Sequence, residues 1–247
     1  MEKMFLNKEF VFKGDNGAAV LLLHGATSGA SQMRPLAVYL NMFGYTVYGV
    51  NLAGHGTLKE SLAQTSWEEI VDSADKKLKD IQPHFDKVFV GGFSLGGLTA
   101  LYLAARHPEL AGAVMLAAPY LPVEASFYTT KYETEFAHKP LDNKSGLYKM
   151  YHNHYEYVPV SFFAQIAAMR NHFVDSKMIA NVTCPVLFIQ PPNDGSVNPN
   201  SAQMMFELVG SKDKELMMLQ GGGHVFLLSE YRYEPYEKFA QFLNRLL

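Results

Sequence analysis

The sequence predicts an α/β chain, a doubly wound and mostly parallel sheet with one helical insertion. Three observations lead there. Apolar runs of strand length alternate with amphipathic stretches of helix length over most of the chain. Several runs, Ala18 to Leu23 above all, are apolar at consecutive positions, as strands covered on both faces are. Polar and glycine-rich punctuation then follows strand after strand, at His24-Gly25, Gly54-His55-Gly56, Ser94, Asn193-Asp194 and Gly223-His224. These all fall at the carboxyl ends of strands, where open α/β sheets place their sites.

Taken in order, Glu9 to Phe12 reads as an edge strand before a turn at Gly14 to Gly17. Ala18 to Leu23 is a central strand. Ser31 to Phe43 carries Met33, Leu36, Ala37 and Leu40 at helical spacing and is stopped by Gly44. Tyr45 to Val50 is a strand. Trp67 to Ile81 is amphipathic, with Ile70, Ala74 and Leu78 against charges, and Pro83 closes it. Val88 to Val90 is a buried strand running into Gly92-Phe93-Ser94-Leu95-Gly96, and Leu98 to Arg106 is a helix. Gly112 to Ala117, Pro185 to Gln190 and Glu215 to Leu219 are further strands, and Tyr233 to Leu247 is the closing helix.

One segment breaks the alternation. From Pro119 to Ala180 there is no clear strand but a dense aromatic population: Phe127, Tyr128, Tyr132, Phe136, Tyr148, Tyr151, Tyr155, Tyr157, Phe162 and Phe163. The expectation is a single domain spanning 1–247, with a small helical lid at about 120–180 lying over the strand ends. Its aromatics are expected to divide between the lid's own core and an apolar pocket.

Composition narrows the function classes. The chain has 247 residues, 48% of them hydrophobic, which suits a globular domain with a substantial core. A formal charge of -3 with scattered Lys and Arg gives no footprint for nucleic acid. The single cysteine, Cys184, excludes an intramolecular disulfide, and its apolar neighbours make it a core residue. The N-terminal residues are broken by charges, and no apolar run is long enough to span a bilayer, so a soluble, cytoplasmic protein is expected.

The chemistry centres on Ser94. Strand, sharp turn with serine at the tip, then helix: this is the context of a nucleophile elbow. The flanking glycines fit a reversal too tight for side chains two positions either side of the serine. A serine in a glycine-rich turn is more often a helix N-cap, so it needs partners to count as a nucleophile. His224, after Gly221-Gly222-Gly223 and before the closing helix, is placed to act as base. Asp194, in the turn after the strand ending at Gln190, is the acid. Its rival Asp213 precedes a strand, at the wrong end of the sheet, while Asp142 and Asp175 lie in the insertion. Attack by a serine also generates an oxyanion, for which the amides of Leu95 and Ala26 are the expected donors. His24 reads as a structural residue pinning these loops. His152 and His154, two apart near Glu156, with His138 and His172 elsewhere in the insertion, lack metal-ligand spacing, so no metal site is assigned.

Together His24-Gly25, Gly54-His55-Gly56, Gly92-Phe93-Ser94-Leu95-Gly96-Gly97, Asp194 and Gly223-His224 resemble the α/β-hydrolase superfamily. The likeness is to its small bacterial carboxylesterases and monoacylglycerol lipases. It covers nearly the whole chain outside the lid, including Trp67 and Asn198-Pro199, and departs at Asn51, where many relatives carry an aspartate. The resemblance implies the triad Ser94, Asp194 and His224 with Ala26 and Leu95 as oxyanion hole. It implies a cofactor-free serine esterase acting on small-molecule esters of short to medium acyl or aryl acids. Monoacylglycerol lipase and cinnamoyl or feruloyl esterase are the neighbouring activities, and a non-catalytic ligand binder is the reading from another class.

Overall fold

The computed structural model describes residues 8–122, 136–138, 146–152, 155 and 157–247. In chain order its strands are β1 (Phe10–Phe12), β2 (Ala18–Leu23), β3 (Thr46–Val50), β4 (Lys87–Phe93), β5 (Gly112–Leu116), β6 (Phe136–His138), β7 (Tyr157–Pro159), β8 (Val186–Gln190) and β9 (Lys214–Met218). The helices are α1 (Arg34–Asn41), α2 (Lys59–Gln64), α3 (Trp67–Ile81), α4 (Leu95–Arg106), α5 (Leu147–Tyr151), α6 (Val160–Asp175), α7 (Ser201–Leu208) and α8 (Tyr233–Leu246). Seven strands form one sheet in the order β1-β3-β2-β4-β5-β8-β9. Only the edge strand β1 runs antiparallel to its neighbour; every other pairing is parallel.

Why β2 is apolar at every position is visible in what each of its faces buries. Ala19, Leu21 and Leu23 of β2 join Val88, Val90, Ala113, Met115, Val186 and Phe188 in a core covered by α3, α4, α6 and α7. The alternate residues Ala18, Val20 and Leu22 join Phe89, Val114, Leu187 and Ile189 in a second core covered by α1 and α8. A period-2 strand buried on both faces must be apolar throughout. Helix α3 starts where its own side chains satisfy the first turn: Ser66 Oγ accepts from Glu69 N–H, and Glu69 Oε2 accepts from Ser66 N–H.

The insertion differs from expectation in one respect. Its strands β6 and β7 pair antiparallel as a separate small sheet, Phe136 opposite Pro159 and His138 opposite Tyr157. Three-residue strands leave no periodic trace in sequence, and their pairing is a property of the folded insertion. Helix α6 is part of the main core rather than a loose cover: Phe162, Met169 and Phe173 are fully buried. Tyr102 O–H of α4 donates to Met169 O at 2.8 Å and lies 3.0 Å from His172 Nδ1, which ties α6 to the elbow helix. The first helix also begins later than its apolar spacing suggests. A 3₁₀ turn at Ala30–Met33 precedes α1, whose second residue is Pro35. No helix among the described residues is long and apolar enough to cross a membrane.

Candidate active site

Helix α4 follows β4 with no linker except Ser94, whose backbone sits at φ 54°, ψ -116°. A non-glycine residue there stores strain, typically about 1–3 kcal/mol. The fold over-determines it. Ser94 N–H donates to Leu116 O at 2.8 Å, and Ser94 O accepts from Leu98 N–H at 3.0 Å. The flanking glycines make the approach possible. A Cβ on Gly92 would lie 1.9 Å from Gly96 O, and one on Gly96 would lie 2.2 Å from Leu23 O. Both obstacles are backbone, so neither can yield without moving a strand or the helix.

His224 arrives on the loop after β9. Its Nε2 lies 3.1 Å from Ser94 Oγ and its Nδ1 lies 2.8 Å from Asp194 Oδ2. The Asp194 side chain is fully buried and surrounded by donors. Oδ1 accepts from Ser196 N–H and Val197 N–H, both at 2.8 Å, and Oδ2 also accepts from Gln190 Nε2 at 3.0 Å. With Asp194 acting only as acceptor, the imidazole proton belongs on Nδ1, and the Nε2 lone pair faces the serine hydroxyl. The rival Asp213 is elsewhere, in a bidentate pair with Arg245 with both distances 2.8 Å.

The two expected oxyanion donors meet at the same cavity. Leu95 N–H is the first amide of α4, at the positive end of the helix dipole, and Ala26 N–H comes from the loop after β2. Neither amide has a hydrogen-bond acceptor among the described residues. The peptide that carries Ala26 N–H is held from its other side. His24 Nδ1–H donates to Gly25 O at 2.8 Å, while His24 Nε2 accepts from Leu52 N–H at 3.1 Å. Burial, and secondarily the neighbouring His55, push the His24 imidazole down to about 3, so it stays neutral. His55 Nε2 in turn lies 2.7 Å from Ala26 O.

Ser94, His224, Ala26 and Leu95 all line a cavity of about 820 Å³. Its wall combines apolar residues (Leu147, Phe163, Ile166, Val197) with polar ones (Gln32, His152, Ser229, Arg232). The aromatic residues of the insertion divide accordingly. Phe162 is core, Tyr148 and Phe163 line the cavity, Tyr157 is exposed, and Tyr155 O–H lies near Gly54 O and Thr57 N. Phe127, Tyr128, Tyr132, Asp142, His154 and Glu156 lie outside the described residues, as do the side chains of Phe136 and His138. Of the remaining lid histidines, His152 Nδ1 is engaged by Gln32 at 2.9 Å and His172 by Tyr102. Cys184 is buried, and that burial pushes its thiol up to about 12.

Sequence reasoning passed over Gln190 and Gln32, both buried polar residues beside the site. The only signal for Gln190 was an amide at the end of an otherwise apolar strand.

Comparisons with known proteins place the chain in a family and match its fold. Residues 14–143 match the model of the family Hydrolase_4, described as serine aminopeptidase, S33. A thermostable monoacylglycerol lipase of Bacillus sp. (strain H-257) is 32% identical over 222 residues, which span 88% of this chain and 87% of that protein. A carboxylesterase of Bacillus subtilis (strain 168) is 28% identical, with 99% of each chain covered. Among solved structures, one from work on the metagenome-derived lipolytic enzymes LipS and LipT superposes with a TM-score of 0.86 at 24% identity, covering 98% of both chains. The monoacylglycerol lipase of Paleococcus ferrophilus superposes with a TM-score of 0.75 at 21% identity, covering 97% of this chain and 99% of that one.

Proposed function

The chain belongs to the Hydrolase_4 (serine aminopeptidase, S33) family of α/β-hydrolases, and on that premise we propose that it is a serine carboxylesterase working through an acyl-enzyme. Ser94 Oγ attacks the ester carbonyl carbon while His224 Nε2 takes the hydroxyl proton. The carbonyl oxygen, now an anion, accepts from Ala26 N–H and Leu95 N–H. Collapse breaks the bond to the alkoxy oxygen, and His224 returns its proton to the departing alcohol. Water, deprotonated by His224, then attacks the acyl carbon and releases the acid and free Ser94. Asp194 keeps the imidazole in the Nδ1–H tautomer throughout. These steps call for no cofactor.

One observation carries this reading. The run Asp194 Oδ2, His224 Nδ1, His224 Nε2, Ser94 Oγ, with contacts of 2.8 and 3.1 Å, ends at a cavity bordered by two amides without acceptors among the described residues. The names of the relatives, a lipase and a carboxylesterase, favour esters over the peptides that the family description suggests. The substrates proposed are small carboxylic esters with short to medium acyl or aryl groups, monoacylglycerols among them. A cavity with both apolar and polar wall supports this range. Residues 1–247 are taken as a single catalytic domain with its cap at about 120–180. A cytoplasmic location belongs to the same proposal and is supported by the lone buried thiol.

A fluorophosphonate probe tests the nucleophile. Stoichiometric labelling that disappears in Ser94→Ala is the expected result, and absence of labelling in well-folded protein would leave the non-catalytic reading. Initial rates on a panel of acetate to long-chain esters, aryl esters, monoacylglycerols and aminoacyl anilides test the substrate class. Faster turnover of anilides than of matched esters would move the assignment to a peptidase.

A further inference from the structure

Each peptide of the loop after β2 is held by a different element. Gly25 N–H donates to Gln32 Oε1 at 2.8 Å, and Gly25 O accepts from His24. Ala26 O faces His55, and Thr27 O accepts from Tyr155 N–H at 3.2 Å. Two of these tethers lead to the insertion. Tyr155 belongs to it directly, and Gln32 reaches it through its second arm, with Nε2 lying 2.9 Å from His152 Nδ1. A third stitch runs alongside, from Ser31 Oγ–H to Tyr151 O at 3.2 Å.

The orientation of the Gln32 amide follows from chemistry alone. Gly25 N–H can only donate, so the amide must turn its oxygen to the loop and its NH₂ to His152. His152 Nδ1 is then the acceptor. Gln32 is 1% exposed, and its bond to Gly25 N–H is buried. A single buried side chain thus spans from the cap to the peptide adjoining the one that carries Ala26 N–H. Its two hydrogen bonds share one rigid amide plane, so displacing one end misaligns the other.

We propose that Gln32 is a positioning residue that couples docking of the cap at His152 to the oxyanion hole. Held at His152, Gln32 fixes Gly25 next to the peptide that carries Ala26 N–H, which borders the same cavity as Leu95. Without the His152 contact, the amide loses the partner of its donor arm, and the loop carrying Ala26 loses a fixed anchor. This inference rests on the reading of Ser94, Ala26 and Leu95 given above.

The test compares Gln32→Met, His152→Phe and the double variant. For each, kcat and KM are measured on p-nitrophenyl butyrate, and Ki is measured for a trifluoromethyl ketone, whose hemiketal anion occupies the oxyanion hole. Each single variant is expected to lose roughly tenfold in kcat, since small misplacements of a donor carry losses of that order or more. Ki should rise by the same factor while KM stays within about threefold, and the double variant should be no worse than Gln32→Met alone. Losses that multiply in the double variant, or a change confined to KM with Ki unmoved, would overturn the coupling. Should Gln32→Met not fold, His152→Phe decides by the same criterion, kcat and Ki against KM. A wild-type protein that neither the ketone inhibits nor the fluorophosphonate labels at Ser94 would remove the underlying reading. A wild-type protein that is inhibited, with variants inhibited equally well, would remove this inference alone.

Discussion

Replacing Asp194 by Asn exchanges an acceptor for a donor at the most densely bonded side chain of the site. Four N–H groups converge on its carboxylate: Ser196 and Val197 on Oδ1, Gln190 and His224 on Oδ2. Asn offers one oxygen and one NH₂, so two donors lose their acceptor whichever way the amide turns. If the oxygen stays with the backbone amides, the NH₂ faces His224 Nδ1 and forces the proton to Nε2. The imidazole then presents N–H rather than a lone pair to Ser94 and cannot act as a base. Loss of kcat by about 10⁴ is expected, as when a triad aspartate is made an amide, which corresponds to about 5.4 kcal/mol of barrier. With Nδ1 now accepting from the Asn NH₂, the Gln190 amide is the buried donor that loses its acceptor, at a cost of about 1–3 kcal/mol, so the urea midpoint should fall as well. Rates on p-nitrophenyl butyrate are therefore normalised to the folded fraction from circular dichroism. Asp213→Asn is the control. It weakens a half-exposed pair with Arg245, worth no more than about 1 kcal/mol, and should leave kcat unchanged. A mild effect for Asp194→Asn beside a severe one for Asp213→Asn would refute the assignment of the acid.

Three further outcomes follow from particular contacts. Gly96→Ala places a Cβ 2.2 Å from Leu23 O, and relief requires moving β2 or α4; destabilisation of about 3 kcal/mol or more is expected in urea unfolding. Gln190→Leu removes one donor from Asp194 together with Oε1, a buried oxygen with no partner among the described residues. Stability should stay within about 1 kcal/mol because an unsatisfied group goes too, while kcat falls about tenfold; an unchanged kcat would show that three donors suffice to hold the acid. The third concerns acid. Burial opposes ionisation of Asp75, but hydrogen bonds and charges from Lys79 and His107 outweigh it and hold its carboxyl below the ordinary value. At Glu109 burial is likewise outweighed, by its own backbone N–H, Gln82 and His107. Both groups have depressed folded pKa values, so their stabilisation is present above the ordinary carboxylate range near about pH 4 and is lost as pH falls through the folded values. His107→Phe should thus move the acid unfolding midpoint to higher pH, read by intrinsic fluorescence.

Local rules made much of this protein legible. Ser94 could be read because an elbow needs small residues at fixed offsets, and Gly92 and Gly96 supply them against backbone obstacles. The strands were legible because burial on two faces leaves no room for polar alternation, as in β2. The residues that support the site were not. Gln190 and Gln32 look like any polar residue near a turn, since an amide's value lies in what it faces, and their partners stand 4 and 7 residues away across turns, or 120 residues away in the cap. The pairing of β6 with β7 escaped for the same reason, because three-residue strands gain their stability from the partner they meet.

Neighbouring residues alone account for the strands, their burial on two faces and the glycine-flanked turn at Ser94. All of these are set by short-range sterics and by hydrophobic periodicity, which are written into neighbouring residues. The convergence of four donors on Asp194, the bracing of the Ala26 loop by His24 and His55, and the link from that loop through Gln32 to the cap appear only once the chain is folded. Those are contacts between segments far apart in the chain, directional over about 3 Å, and no linear pattern carries a direction in space.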